Sequence, residues 1–253
     1  MPQPKSLAEH IKSHQPQAIR QRLQDGAHSS YLRDFVYGAI DGTVTTFAIV
    51  SAVAGAGFDS GIVIVMGIAN LLGDGFSMAA SNYLGIRAEQ QQKQSLRRME
   101  EMHIERYPEG EKEEIREIFR QKGFEGNDLE RVVEVITADV NQWVDTMLTD
   151  EFGVALEGPN PLKAAFTTFA AFVLVGSLPL LAFAYQWLSP IGLENPYLWS
   201  TVITSGAFFA VGAAKSWFIT LPWYREGLET LLVGSMAAGL AYLAGAMFSG
   251  VAV

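Results

Sequence analysis

Apolar residues along this chain gather into five blocks, and polar residues gather between them. The blocks are residues 35–58, 62–86, 164–187, 198–221 and 228–253. A hydrocarbon core about 30 Å thick is crossed by about 20 apolar residues in a helix, so each block is expected to be a transmembrane helix. The second block gives way to a polar stretch, 87–163, with a different rhythm. Three helices are expected there. One runs over 88–107, continuing out of the second span; the next covers 111–122 and ends at Gly123. The third covers 127–151, opened by Asn127 with Glu130 three residues on, the pattern of a capping box. Its apolar positions Leu129, Val132, Val133, Ile136, Val140, Trp143, Val144 and Met147 follow the spacing of an amphipathic helix. These helices are therefore expected to pack on one another or on a second copy.

The flanks of the blocks support the same reading. Pro179 is expected to kink or loosen the third span, which a membrane tolerates where neighbours satisfy the freed carbonyl. Trp187, Trp199, Trp217 and Trp223 fall near span ends, where interfacial aromatics sit. The fifth span carries small residues (Gly234, Ala237, Ala238, Gly239, Gly245) that suit close helix contact. Residues 1–33 are polar, with scattered Leu7, Ile11, Ile19 and Leu23, and read as a mobile tail or a weak interfacial helix. His10, His14 and His28 in that tail are expected to be solvated. No cleavable signal peptide is visible, so the first span is expected to direct insertion.

The basic residues orient the array. Lys5, Lys12, Arg20, Arg22 and Arg33 precede the first span; eleven Lys and Arg lie in 87–163; Lys215 and Arg225 follow the fourth span. The loops around Asp59 and Glu194 have none. By the positive-inside rule the N-terminus and the long segment are cytoplasmic and the C-terminus is on the opposite side. The chain divides into a cytoplasmic tail 1–33, spans one and two in 34–86, a cytoplasmic segment 87–162, and spans three to five in 163–253.

Composition narrows the function. The chain has no cysteine, which excludes disulfides and thiolate-bound metals. Its net charge of −9 argues against a nucleic-acid partner. No nucleophile–base set or phosphate-cradling loop is present, so neither an enzyme nor an ATP-driven pump is indicated.

Two groups of residues carry candidate chemistry. Asp41 stands inside the first span between Gly38 and Gly42, with Thr45 one turn on. In the second span Asn70, Asp74 and Met78 recur at i, i+4 and share one stripe. An acid at membrane depth is costly and by default marks function, here a cation path. The alternative is an interhelical hydrogen-bonded pair without a transport role. Carboxylates with a thioether favour iron over magnesium or calcium, and manganese, cobalt and zinc also tolerate such sites. The second group lies in the cytoplasmic segment, which holds 18 of the 27 acidic residues. Glu101 and Glu105, Glu113 and Glu117, and Met147 and Glu151 are i, i+4 pairs, and Glu114 with Glu117 is i, i+3. Like charges on one helix face repel, so cations between such faces would relieve them. A solvated acidic surface, balanced by Arg97, Arg98, Arg106, Arg116 and Arg120, is the alternative. His103, between the first two glutamates, is a lesser candidate ligand.

Taken together, Arg33-Asp34, Gly38-Ala39-Ile40-Asp41-Gly42, Thr45-Thr46-Phe47-Ala48, Ala69-Asn70-Leu71, Asp74-Gly75, Ser77-Met78-Ala79 and Asn160-Pro161 resemble the vacuolar iron transporter family over nearly all of residues 31–253. The resemblance implies a five-span homodimer that exports Fe²⁺ from the cytosol in exchange for protons. It implies a transmembrane ion site of Asp41 and Met78 near the dimer axis. It also implies a cytoplasmic metal-binding domain drawing on Glu101 or Glu105, Glu113 or Glu114, Glu117, Met147 and Glu151. Two departures stand out. A pair of methionines in the family is Met147-Leu148 here, and the first glutamate pair, i, i+3 in the family, is one residue wider for Glu101 and Glu105. The fold class expected is thus an all-α membrane protein: five transmembrane helices, with a three-helix cytoplasmic metal-binding segment between spans two and three. The membrane would be a plasma (inner) membrane in a bacterium and a vacuolar-type membrane in a eukaryote. A passive divalent-metal channel and a membrane-anchored metal sensor or buffer are the alternatives to an exchanger.

Overall fold

The computed structural model describes residues 7–24, 30–216 and 221–249, and within them every regular element is helical. The expectations for Lys5, His28 and Trp217, and for the far ends of the fourth and fifth spans, fall outside the described residues. Five helices are long and apolar enough to cross a membrane: Leu32–Ala56, Ser60–Arg106, Pro161–Leu188, Pro196–Lys215 and Trp223–Met247. They correspond to the five apolar blocks. The chain forms two compact units, one of residues 1–83 with 161–253 and one of residues 84–160.

In the first unit, α1 (Leu7–Ser13) and α2 (Pro16–Gln24) are short helices of the N-terminal tail, with Leu7 and Ile11 exposed. The organising element is α3 (Leu32–Ala56). It ends at Gly57, whose N–H still reaches the Ala54 carbonyl and whose φ of 71°, which glycine adopts without steric cost, turns the Phe58 N–H back onto the Val53 carbonyl at 3.2 Å. Asp59 then accepts a 2.7 Å hydrogen bond from the Gly61 N–H as α4 (Ser60–Arg106) begins. α3 packs on α8 (Pro161–Gly176), α10 (Pro196–Lys215) and α11 (Trp223–Met247).

These contacts are backbone-close. A Cβ on Gly42 would stand 2.5 Å from the Phe172 carbonyl oxygen, and one on Gly38 would strike the Thr168 carbonyl. Glycines at that spacing remove the side chains that would hold two membrane helices apart. The same device joins α3 to α11, where Gly55 meets Tyr242 and Gly245 meets Ala52. Of the small residues expected to serve close contact in the fifth span, Gly239 differs: open space surrounds it. The apolar core around α3 is built from Phe47, Val50, Val53, Val63, Leu71, Phe172, Leu180, Phe183, Phe208 and Ala238.

Pro179 loosens the third span as expected. α8 gives way to a 3-10 turn, Leu178–Leu180, before α9 (Leu181–Leu188), and the Pro179 carbonyl accepts a 2.6 Å hydrogen bond from Ser200 of α10. Asn195 caps α10 by accepting from the Leu198 N–H at 3.0 Å, with Pro196 in the first turn. Glu226, buried in the first turn of α11, pairs with Lys215 at the end of α10 at 2.9 Å. Trp187, Trp199 and Trp223 are exposed near helix ends, the placement expected of interfacial aromatics.

The second unit consists of the C-terminal part of α4 with α5 (Pro108–Gln121), α6 (Gly126–Thr137) and α7 (Val140–Asp150). Its core is Ile104, Ile115, Leu129, Val133, Trp143, Val144, Met147 and Leu148. Two expectations are corrected here. The single helix over 127–151 is two helices, so the segment has four helical parts rather than three. The break falls at Asp139, which is extended (φ −121°, ψ 116°) and accepts from the Asn141 N–H at 2.8 Å. An aspartate side chain that bonds the backbone locally competes with helix continuation and caps a new start. The Asn127–Glu130 capping box is also absent. The residue before α6 is Glu125, without a side-chain cap, and Glu130 instead receives two hydrogen bonds from the Arg116 guanidinium, at 2.9 and 3.1 Å. A two-pronged, charge-assisted pair outcompetes a neutral cap.

Candidate metal sites

The membrane candidates lie on α3 and α4. Asp41 is half-buried. Thr45, one turn on, donates its hydroxyl to the Asp41 backbone carbonyl at 2.9 Å and accepts from the Asn70 amide at 3.1 Å. Asn70 also donates to Thr46 at 3.3 Å, so one amide fastens α4 to two hydroxyls of α3. Asp74 is exposed, and its carboxylate is the charged group that acts on Asp41. Met78 is half-buried against the apolar core. A further polar tie was not foreseen: Asn82 donates to Asp34 and to Thr168, each at 2.9 Å, joining α3, α4 and α8.

The second constellation lies in the unit of residues 84–160. Glu100, His103 and Glu111 bring one donor atom each within 4.8 Å of one another. His103 Nδ1 is 3.9 Å from Glu100 Oε1 and 3.6 Å from Glu111 Oε1. Glu100 sits four residues after Leu96 and four before Ile104, on the face α4 turns toward the apolar core, and Glu111 stands one turn ahead of buried Ile115. Their side chains are 3% and 10% exposed. The Oε2 atoms of both are buried without a hydrogen-bond partner. Burying polar oxygen without a partner is expensive, more so for an ionised one. The protein relieves the charge by protonation: burial, with Glu111, Glu151 and Glu114 nearby, pushes the Glu100 carboxyl up to about 7. Burial and Glu114 also raise Glu111, against a lowering pull from His103. Burial, Glu114 and Glu111 likewise raise Glu151. Four carboxylates and one imidazole therefore share one field.

The residues expected from sequence distribute unevenly around this cluster. Glu114 and Glu151 belong to its field. Met147 is fully buried in the apolar core. Glu113 and Glu117 are held by Arg116 and Arg120. Glu101 lies 4.0 Å from Arg97, which also pairs with Asp145, and Glu105 is exposed. The residues that sequence reasoning passed over are Glu100 and Glu111. The signal for both was an acid at helical spacing from apolar neighbours.

Residues 32–246 match the VIT family. The chain belongs to it. Among VIT-family relatives, the chain is 33% identical over 214 residues to "Vacuolar iron transporter 1" of Arabidopsis thaliana, covering 83% of each chain. It is 30% identical over 226 residues to "Vacuolar iron transporter" of Toxoplasma gondii, covering 87% of this chain and 74% of that one. It is 27% identical over 243 residues to the protein of that name from Plasmodium berghei, covering 94% and 89%. The first glutamate pair expected from the family resemblance is i, i+3; three residues after Glu100 this chain has His103, not a glutamate.

Proposed function

We propose that this VIT-family chain exports Fe²⁺ from the cytosol across its membrane in exchange for protons. The observation that carries the reading is a carboxylate, Asp41, on a membrane-length helix, whose charged neighbour is a second carboxylate. Two acids close together at such a position are relieved by a proton or a cation, and rarely by both at once. That exclusion couples opposite fluxes. In this reading Asp41, Asp74 and Met78 line the path. Asn70 and Thr45 hold α4 against α3 beside it, and Met78 supplies a soft donor suited to iron.

The acidic cluster of residues 84–160 gathers the ion. Glu100 and Glu111 bind it, Glu114 and Glu151 add charge, and Met147 holds the wall behind them. Glu101, Glu105, Glu113 and Glu117 raise the local negative potential. The relatives' names support iron as the cargo; manganese, cobalt and zinc are secondary cargoes. Cytoplasmic N-terminus, opposite-side C-terminus and a homodimer complete the proposal.

The test is Fe²⁺ uptake into liposomes holding the purified protein, with the internal pH followed at the same time. Wild type is expected to move protons only when Fe²⁺ is present on the opposite side. Asp41→Asn, which keeps the shape and loses the titratable charge, is expected to lower flux at least about tenfold while the protein stays folded. Iron flux without counter-moving protons would make the protein a channel. Unaltered flux in Asp41→Asn would remove Asp41 from the path.

A further inference from the structure

One donor at the orphaned carboxylate pair is nitrogen. His103 Nδ1 faces both acids, 3.6 Å from Glu111 Oε1 and 3.9 Å from Glu100 Oε1. Donors sharing one ion through bonds of about 2.1 Å stand roughly 3 to 4 Å apart, so these separations suit a common ion. A protonated ring would be the other use of His103, as a counter-charge. It would neutralise one of four carboxylates and leave the buried Oε2 atoms of Glu100 and Glu111 unpaired, as they now are. A divalent ion held by both carboxylates would offset their buried charge.

The identity of the donor then matters. Oxygen-only sites accept hard ions such as Mn²⁺ readily. Imidazole nitrogen favours the later first-row ions, and affinity climbs from Mn²⁺ through Fe²⁺ and Co²⁺. We propose that His103 is a specificity-determining ligand of this cluster, biasing it through Nδ1 against Mn²⁺ and toward Fe²⁺, Co²⁺ and Zn²⁺. The inference rests on the metal-gathering role proposed above for the same residues.

The experiment titrates full-length protein in detergent with Mn²⁺, Co²⁺ and Zn²⁺ at one neutral pH, by calorimetry. His103→Glu restores an oxygen donor; His103→Gln offers a neutral one. The ring is 45% exposed, so both variants are expected to fold, which circular dichroism checks. The ratio of Zn²⁺ to Mn²⁺ affinity is expected to fall about tenfold or more in both. The visible spectrum of bound Co²⁺ is expected to shift with loss of the nitrogen ligand. Glu100→Gln serves as the site marker and weakens all three ions together. An unchanged ratio and an unchanged Co²⁺ spectrum in both His103 variants overturn this inference and leave the proposed function standing. No binding by wild type, or binding indifferent to Glu100→Gln, overturns this inference together with the metal-gathering role it rests on, while Asp41 is judged by the liposome measurement.

Discussion

Between two adjacent glutamates on α4, one residue of rotation separates a solvated acid from a buried one. Glu101 stands beside Arg97, whereas Glu100 points into the core between Leu96 and Ile104. Glu101 and Glu105 were the expected ligands because they share an i, i+4 face. The apolar marks on that stretch, Leu96, Met99, Met102 and Ile104, do not define one narrow stripe, so the inward face could not be read from them alone. Glu151 was legible because Met147 and Leu148, both fully buried, lie one turn before it. The consequence for Glu100 is a pH dependence with a definite sign. Its carboxyl titrates at about 7 in the folded chain against 4.5 ordinarily. The stabilisation from its proton is complete below pH 4.5 and is lost as pH rises to about 7. Glu100→Gln cannot ionise. Metal-free variant is expected to unfold at a higher temperature than wild type at mildly alkaline pH and at a similar one in acid, followed by tryptophan fluorescence. Added Fe²⁺ is expected to stabilise wild type above neutrality and to leave the variant nearly unmoved. Parallel pH profiles for the two proteins would show that Glu100 is not the titrating acid.

At the scale of elements, the helices that mattered were set by small residues and local caps. Gly38 and Gly42 were legible as a contact face from their spacing, but their partner was not. Only the structure shows that the stripe Thr168, Phe172 and Gly176 of α8 receives them. The helix break at Asp139 was hidden for a related reason: the apolar rhythm continues across it, from Val133 and Ile136 to Val140 and Trp143. A cap breaks the backbone without breaking the hydrophobic pattern, because α6 and α7 cover the same core. The glycine contact can be tested against its own control. Gly42→Ala places a Cβ 2.5 Å from a backbone oxygen and 2.9 Å from the Phe172 Cα, neither of which can rotate aside. Forced overpacking of this kind costs about 1–3 kcal/mol. Gly239→Ala on α11 meets nothing within 4 Å. Thermal unfolding in detergent is expected to shift clearly downward for Gly42→Ala and hardly at all for Gly239→Ala. Equal shifts would mean that the α3–α8 approach is looser than the backbone geometry requires.

For the whole molecule, five apolar blocks became five membrane-length helices, because length and hydropathy are properties of segments and survive errors of register. What no segment property shows is which face meets lipid and which meets protein. On α4 the stripe Gly67, Leu71, Gly75 and Ala79 is buried, while Asp74 and Ser77 on another face are exposed. Phe76, exposed as well, lies on the flank away from Asp74. A carboxylate turned to hydrocarbon costs about 2.5 kcal/mol or more, so the Asp74 face needs cover that lipid cannot give. In the proposed homodimer, a second copy meeting that face about a two-fold axis would supply it, and would place two Asp41–Asp74 pairs on a shared path. The cysteine-free chain makes the idea simple to test. Ser77→Cys, in native membranes with a short bifunctional thiol reagent, is expected to trap a species of twice the chain mass. Phe76→Cys, turned to lipid, is expected to stay monomeric under the same treatment. The reverse result would place the two-fold axis on the far flank of α4 and leave Asp74 to water within a single chain. A monomer in both variants would dismantle the shared path while sparing the role of Asp41, which the liposome measurement decides by itself.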